Sequence, residues 1–322
     1  MRYGQLGRSG LVVSRLAFGA GSLGVGETLP GLVKNMGQNV AEAVVAKAVE
    51  AGVNFFDTSN KYVGGDSERT LGKALGTNRN QVILATKCGL PVGASILDRG
   101  LSARHVIREC EESLKRLGTD WIDVYYAHTL DPLTPLEETA RAFEHLVTSG
   151  KVRYVAVSNW PAWQAARFQA MQQAAGYAPI VANQIYYSLL GSQMERDMAP
   201  LSEATGLGVV VYSALAGGFL SGKYERDKPA PAGTRRATFA VSPRFDMDHG
   251  HDVNDLLRRL GRDYGVPPAH VALAWTMQQP GVSSVLFGIS RLAQLEENLP
   301  AADLVLEQVH VDELNALTMP AN

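Results

Sequence analysis

The chain has 322 residues, 46% of them hydrophobic and 19% charged, with a formal net charge of -2. That balance offers no basic face for nucleic acid and no cationic patch for an anionic membrane, and its apolar stretches fall short of the roughly 20 residues that a membrane span needs. The length suits one barrel-sized domain of about 250 residues plus insertions, so residues 1–322 read as a single domain.

In chain order, residues 2–6 and 11–14 around Arg8-Ser9-Gly10 read as a hairpin that plugs one end of a barrel. Eight strand-like apolar runs follow: Arg15–Phe18, Asn54–Phe56, Val82–Thr86, Ile122–Tyr126, Val152–Val157, Val181–Gln184, Gly208–Tyr212 and Val282–Phe287. Segments of helical period lie between them, which predicts βα units and a parallel sheet. Ser102 is placed to cap a helix over Ala103–Leu117, with Gly118 just past its end. Leu136–Thr148 carries Leu136, Ala140, Phe143 and Leu146-Val147 on one face, followed by Gly150. Further helices are expected over residues 161–175, 195–205, 253–264 and 268–278. Two irregular stretches, residues 26–38 and Ser221–Asp252, are placed to shape or cover a site. The start Met1-Arg2-Tyr3-Gly4 carries no apolar signal core, so the cytoplasm is the expected location. Cys88 and Cys110 form neither a ligand cluster nor a disulfide framework, and no metal site is expected.

The chemistry sits at the ends of successive runs. Asn54-Phe55-Phe56 ends on Asp57, with Tyr62 five residues later; the next run ends on Lys87; the next ends on His128. In a parallel barrel all strand C-termini open on one face, where active sites lie. Reducing a carbonyl requires a proton for the developing alkoxide. Tyrosine is a poor acid, with a free pKa of about 10, and a lysine cation beside it favours the phenolate. Tyr62 then reads as proton donor, Lys87 as the group that tunes its acidity, and Asp57 as the carboxylate that holds Lys87. His128 reads as a hydrogen-bond donor to the substrate oxygen. Taken singly, each of these residues also reads as a cap, a surface charge or a loop aromatic. Alternation along the strand turns Cys88 away from the mouth that Lys87 faces, so Cys88 is expected in the core rather than as a redox sensor.

These motifs resemble the aldo-keto reductase family over nearly the whole chain, from Leu6-Gly7-Arg8-Ser9-Gly10 to Gln294-Leu295-Glu296-Glu297-Asn298. The family pattern has an acid and a tyrosine in "FDTA..YG", a lysine in "TK" and a histidine in "H..DP.TP.EE"; here they stand as Asp57, Tyr62, Lys87 and His128 ahead of Asp131-Pro132. The resemblance implies a (β/α)8 TIM barrel with an N-terminal β-hairpin and long loops on its C-terminal face. It implies an NADPH-dependent oxidoreductase reducing an aldehyde or ketone to an alcohol. Cofactor contacts are implied for Gly21, Asp57, Ser158, Asn159, Gln184, Tyr212, Ser213, Leu215, Gly217, Lys223, Gly288, Ser290, Arg291, Gln294, Glu297 and Asn298. Within that set, Ser158, Asn159 and Gln184 hold the nicotinamide carboxamide, while Ser290 and Arg291 meet the 2′-phosphate. Ser158-Asn159 before Trp160-Pro161 also has the form of a helix cap.

Three departures from the pattern stand out: Ala214 and Phe287 where proline is usual, and Ile289 where alanine is usual. Arg235, Arg236 and Arg244 are further phosphate candidates, although solvated loop charges are the simpler reading. Trp160, Tyr186, Tyr187 and Phe219 are candidates for an aromatic substrate wall. No G-x-G-x-x-G occurs, so a two-domain dinucleotide fold lacks its main signal. The rivals are an NAD(P)-dependent aldose 1-dehydrogenase, an NADPH-binding regulatory subunit like the potassium-channel β-subunits, and a non-redox barrel lyase or isomerase. The channel subunits carry asparagine where His128 stands, which favours an enzyme. The expected partner is a small-molecule carbonyl or alcohol, with no nucleic acid and no membrane; the oligomeric state is left open.

Overall fold

The first two strands, β1 (Tyr3–Gln5) and β2 (Val12–Ser14), pair antiparallel as a hairpin. Eight more follow: β3 (Leu16–Gly19), β4 (Phe55–Asp57), β5 (Ile83–Cys88), β6 (Ile122–Ala127), β7 (Val152–Ser158), β8 (Ala182–Tyr186), β9 (Gly208–Tyr212) and β10 (Val282–Gly288). They close a parallel barrel in the order β10-β3-β4-β5-β6-β7-β8-β9, the (β/α)8 architecture. This computed structural model describes residues 1–26, 36–232, 234, 237, 247–289 and 291–318.

Strand alternation divides the core in two. Ala17, Phe55, Ala85, Val124, Tyr126, Ala156, Ala182, Val210 and Leu286 fill the barrel, joined from the hairpin by Leu6 and Val13. The intervening residues, among them Phe18, Phe56, Leu84, Tyr125, Val157 and Val211, face the surrounding helices. The hairpin thus plugs the N-terminal end of the barrel, as expected. Below it, Arg15 donates to the carbonyls of Met277, Val282 and Ser283, and Arg2 to those of Ala302 and Leu304. The Arg15 bonds satisfy carbonyls that end a helix and begin β10, where buried acceptors otherwise lack partners.

The helix Ala103–Leu117 is capped by the Ser102 hydroxyl, which accepts from the His105 N–H, and it ends at Gly118 with φ 65°. Leu136–Thr148 buries Ala140, Phe143 and Leu146. The helices Ala162–Ala174, Met194–Thr205 and Pro268–Gln278 stand within a residue of the expected ranges. Met247–Tyr264 begins six residues before the expected residue 253. Gly250 inside it explains why the spacing conceals the extension. Glycine weakens a helix signal, yet here a Cβ would stand 2.7 Å from the Phe219 ring, so the packing requires its absence. Gln38–Glu50, Asp66–Leu75 and Gln308–Thr318 are helices whose limits the spacing does not give.

The described residues contain no helix long and apolar enough to cross a membrane. Cys88 and Cys110 are buried free thiols, each pushed up to about 12 chiefly by burial, so Cys88 lies in the outer core as alternation requires.

Candidate active site

The alternation that fills the barrel also populates its mouth. Two residues beyond the interior side chains Phe55, Ala85, Tyr126, Ala156, Ala182, Val210 and Leu286 stand Asp57, Lys87, His128, Ser158, Gln184, Tyr212 and Gly288. A period of two therefore points all seven toward the same end of the barrel.

Lys87 is fully buried and spends its three donors nearby. It forms an ion pair with Asp57 Oδ1, donates to the Thr58 carbonyl at 2.8 Å, and reaches the Tyr62 hydroxyl at 3.4 Å. The second Asp57 oxygen accepts from Gln184 Nε2 at 2.9 Å. Burial opposes the charge on Lys87, but Asp57 foremost and Tyr62 next outweigh it, so its pKa stands above the ordinary lysine value. Tyr62 corrects a sequence expectation. Lys87 does pull its pKa down, but burial outweighs that pull and Asp57 opposes it, leaving the phenol above its usual value. The Tyr62 oxygen accepts from Lys87, which leaves its own proton available to another acceptor.

The His128 ring stands edge-on to that of Tyr62, with centroids 5.6 Å apart. Burial and then the Lys87 charge hold its pKa well below the usual histidine value, so the ring is neutral at physiological pH. A Cβ on Gly21 would stand 3.6 Å from the Tyr62 ring, which places that glycine beside the phenol.

Tyr62 opens a short helical turn, Tyr62–Gly65, whose second residue is left-handed: Val63 has φ 52° and ψ 39°. A β-branched residue is strained there, and the surrounding bonds hold it. Thr58 Oγ1 and Ser67 Oγ share a hydrogen bond, and Ser67 donates to the Ala20 carbonyl. Asn60 Nδ2 donates to Glu109 at 2.9 Å, and buried Glu68 accepts from Thr86 and Arg116. Ser59, Asn60, Glu68, Glu109 and Arg116 support the site without having been singled out from sequence. Ser59 and Asn60 lie inside the motif, whereas Glu68, Glu109 and Arg116 reach the site only through helix packing, which linear spacing does not reveal.

Ser158 Oγ donates to the Gln184 carbonyl, and Asn159, at φ 60°, donates to the His128 carbonyl and to Ser158. The helix that follows is entered through Pro161 without a side-chain cap, so the capping alternative for Ser158-Asn159 fails. Tyr212 donates to Asn159 Oδ1 at 2.8 Å, and its ring stands edge-on to Tyr186. Beyond β9, Ser213 is left-handed and exposed, and Leu215 leads into a turn in which Ala216, Gly217 and Gly218 have φ 48°, 67° and 90°. The Lys223 ammonium lies 3.4 Å from where a Cβ on Gly218 would stand, and no carboxylate pairs with it among the described residues.

Gly288 ends β10 exposed, with open space where a Cβ would be. Arg291 precedes the helix Leu292–Asn298, is 59% exposed, and meets Glu297 at 3.5 Å. Gln294 and Asn298 on the same short helix are half-buried. Ser290, Arg235, Arg236, Arg244 and most of residues 26–38 lie outside the described residues.

The expected aromatic wall is corrected. Trp160 packs on Phe168, Tyr187 stacks on Trp275, and Phe219 stacks on Tyr224, all in the outer core. Of the four, only Tyr186 is partly exposed. Tyr187 follows β8 in the phase that faces the helices, left-handed Asn159 breaks the alternation of β7 just ahead of Trp160, and Phe219 turns inward from its loop.

Comparison with known proteins agrees with this arrangement. The aldo/keto reductase family profile matches residues 15–318. "Uncharacterized oxidoreductase YrpG" of Bacillus subtilis (strain 168) is 34% identical, over 98% of this chain and 95% of that protein. A "Probable voltage-gated potassium channel subunit beta" of Oryza sativa subsp. japonica is 35% identical, over 98% and 96%. "Aldo-keto reductase YhdN" of Bacillus subtilis (strain 168) is 33% identical, over 92% and 87%. A match across almost the entire barrel, together with a mouth built from the carboxylate, lysine, tyrosine and histidine of its motifs, makes this chain a member of the aldo/keto reductase family of oxidoreductases.

Proposed function

We propose that this chain reduces an aldehyde or ketone to an alcohol, with NADPH as reductant and Tyr62 as proton donor. The observation that carries the proposal is the chain of bonds from Asp57 through Lys87 to the Tyr62 hydroxyl, with neutral His128 beside it. When bound, the nicotinamide cofactor supplies the hydride for the carbonyl carbon. Tyr62 gives its proton to the carbonyl oxygen, while Lys87 stabilises the phenolate left behind. His128 donates a hydrogen bond to the same oxygen and sets its angle. Tyr62 is a phenol at neutral pH, the form that has a proton to give.

The mouth has the chemistry to hold such a cofactor. The left-handed Ala216–Gly218 turn with Lys223 above it suits phosphate oxygens. Asn159 and Gln184 offer the donors and acceptors that a carboxamide needs, and Tyr212 presents a ring beside them. Open Gly288 and exposed Arg291 suit the adenosine half and its 2′-phosphate. The test is a panel of aldehydes, ketones and sugars followed by reduced-cofactor absorbance, with NADPH and NADH in parallel. Carbonyl-dependent oxidation of NADPH is expected. Turnover only with sugars and NAD would replace this reading by the aldose dehydrogenase.

The relatives named as channel subunits carry a second reading, a cofactor-binding subunit that serves a partner. It predicts tight NADPH binding with no turnover on any carbonyl in the panel.

A further inference from the structure

Ser59 occupies the place where the family motif has alanine, so its hydroxyl belongs to this chain rather than to the pattern. It is fully buried. Its Oγ accepts the N–H of Lys61 at 3.2 Å, and its own carbonyl accepts the N–H of Tyr62 at 3.1 Å. A serine hydroxyl taking the amide two residues on is a local turn lock, and here it fixes the hydroxyl on the turn that delivers Tyr62. The same Oγ lies 3.1 Å from His128 Nδ1. One hydroxyl therefore links the turn of the proposed proton donor to the proposed carbonyl-orienting ring.

A neutral imidazole carries one hydrogen, and the partner of one nitrogen decides which nitrogen holds it. The Ser59 hydrogen has two acceptors in reach: Asn60 Oδ1 at 3.5 Å and His128 Nδ1 at 3.1 Å. The shorter contact is within normal hydrogen-bond range and the longer is at its limit. Donation to Nδ1 leaves the ring hydrogen on Nε2, for which the described residues provide no hydrogen-bond partner.

We propose that Ser59 is a positioning residue that donates to His128 Nδ1, fixing the tautomer whose Nε2–H faces the substrate oxygen. Without this hydroxyl, the hydrogen can move to Nδ1, and the ring then presents a lone pair where the carbonyl oxygen needs a donor. The role rests on the carbonyl-reductase reading for its consequence, but the tautomer itself is measurable without turnover.

The experiment is nitrogen-15 NMR of the histidine side chains in the full-length protein, with His128 assigned by its loss in His128→Gln. Wild type is expected to show Nε2 protonated and Nδ1 as acceptor, whereas Ser59→Ala is expected to show a mixture of the two tautomers. In single-turnover carbonyl reduction, Ser59→Ala should slow the step about three- to tenfold, the range for one neutral hydrogen bond. Its cofactor dissociation constant should be unchanged. A wild-type ring protonated on Nδ1, or the same single tautomer in both proteins, overturns the proposal. An unaltered single-turnover rate despite a changed tautomer overturns the positioning role. If wild type reduces no carbonyl, the function proposed above fails, while the NMR comparison still decides whether Ser59 sets the ring.

Discussion

The two ends of the barrel mouth are built on opposite principles. At the Tyr62 end, Lys87 is fully buried, Asp57 nearly so, and the Lys87 ammonium and both Asp57 oxygens have protein partners. At the Arg291 end, both members of the one ion pair are more than half exposed, and Lys223 has no carboxylate partner among the described residues. Under the function proposed above, the first end carries proton chemistry, which depends on fixed distances and low dielectric and so on groups assembled within the fold. The second end would then recognise a charged ligand, which calls for donors open to solvent that the ligand itself completes. Substitutions at the first end should therefore change rate and stability, and substitutions at the second should change affinity and its salt dependence.

The largest effect is expected from Tyr62→Phe. Removing the hydroxyl should lower the rate of carbonyl reduction by about 10²–10⁴-fold, the usual worth of a positioned acid, with cofactor affinity by protein fluorescence nearly intact. A variant at wild-type rate removes Tyr62 from the chemistry.

Lys87→Met should be felt in stability as well. It strands Asp57 as a buried carboxylate without its cation, a change that costs about 3–5 kcal/mol in comparable pairs. Denaturant unfolding should show that loss, and Lys87→Met/Asp57→Asn should recover part of it. Any residual activity should show a higher governing pKa, because the cation that pulls Tyr62 down is gone.

At the open end, Lys223→Met should weaken NADPH and NADH alike, because a pyrophosphate is common to both. Arg291→Ala should weaken NADPH about tenfold, or ~1.4 kcal/mol, and leave NADH almost unchanged. Raising ionic strength should shrink both effects, since the groups are exposed. Equal losses of the two cofactors in Arg291→Ala would make that residue structural.

A pH dependence is also expected. The His128 pKa is depressed in the fold, so the unfolded chain takes up a proton near pH 6.5 that the folded ring refuses. Stability from this group is present above about pH 6.5 and is lost as pH falls toward the depressed value, by at most about 1.4 kcal/mol per pH unit. His128→Gln removes that slope. The stability difference between the two proteins, measured from pH 8 to pH 5, should therefore move in the variant's favour as pH falls. A constant difference would mean that the ring titrates normally.

The sequence made the strand phase legible. Apolar runs located the eight barrel strands, and the groups at their ends, such as Lys87 after Ala85, inherit the interior phase. The observed strands extend past several expected ends: to Gly19 and Cys88, because polar or small residues continue the ladder without an apolar signal, and to Tyr186, because the ladder runs on past polar Gln184. The aromatic wall misled because residue type was read without strand phase or turn geometry. Tyr187 stands in the helix-facing phase of β8, and the left-handed turn at Asn159 carries Trp160 to the helices against the phase of β7. The Asn60–Glu109 bond was not legible because its partners lie 49 residues apart on elements joined only by packing.

The barrel's seam has a consequence for biosynthesis. Ser284 Oγ bonds the Ser14 carbonyl across 270 residues, where the last barrel strand meets the first. At about 5–20 residues per second, a ribosome needs roughly 15–50 s to supply the second partner after the first. Throughout that interval the open edge of β3 has no neighbour on one side, and an unpaired edge is a template for foreign strands. The nascent chain is therefore most vulnerable to aggregation before β10 emerges, and chaperone occupancy should fall once β10 is free to seal the ring.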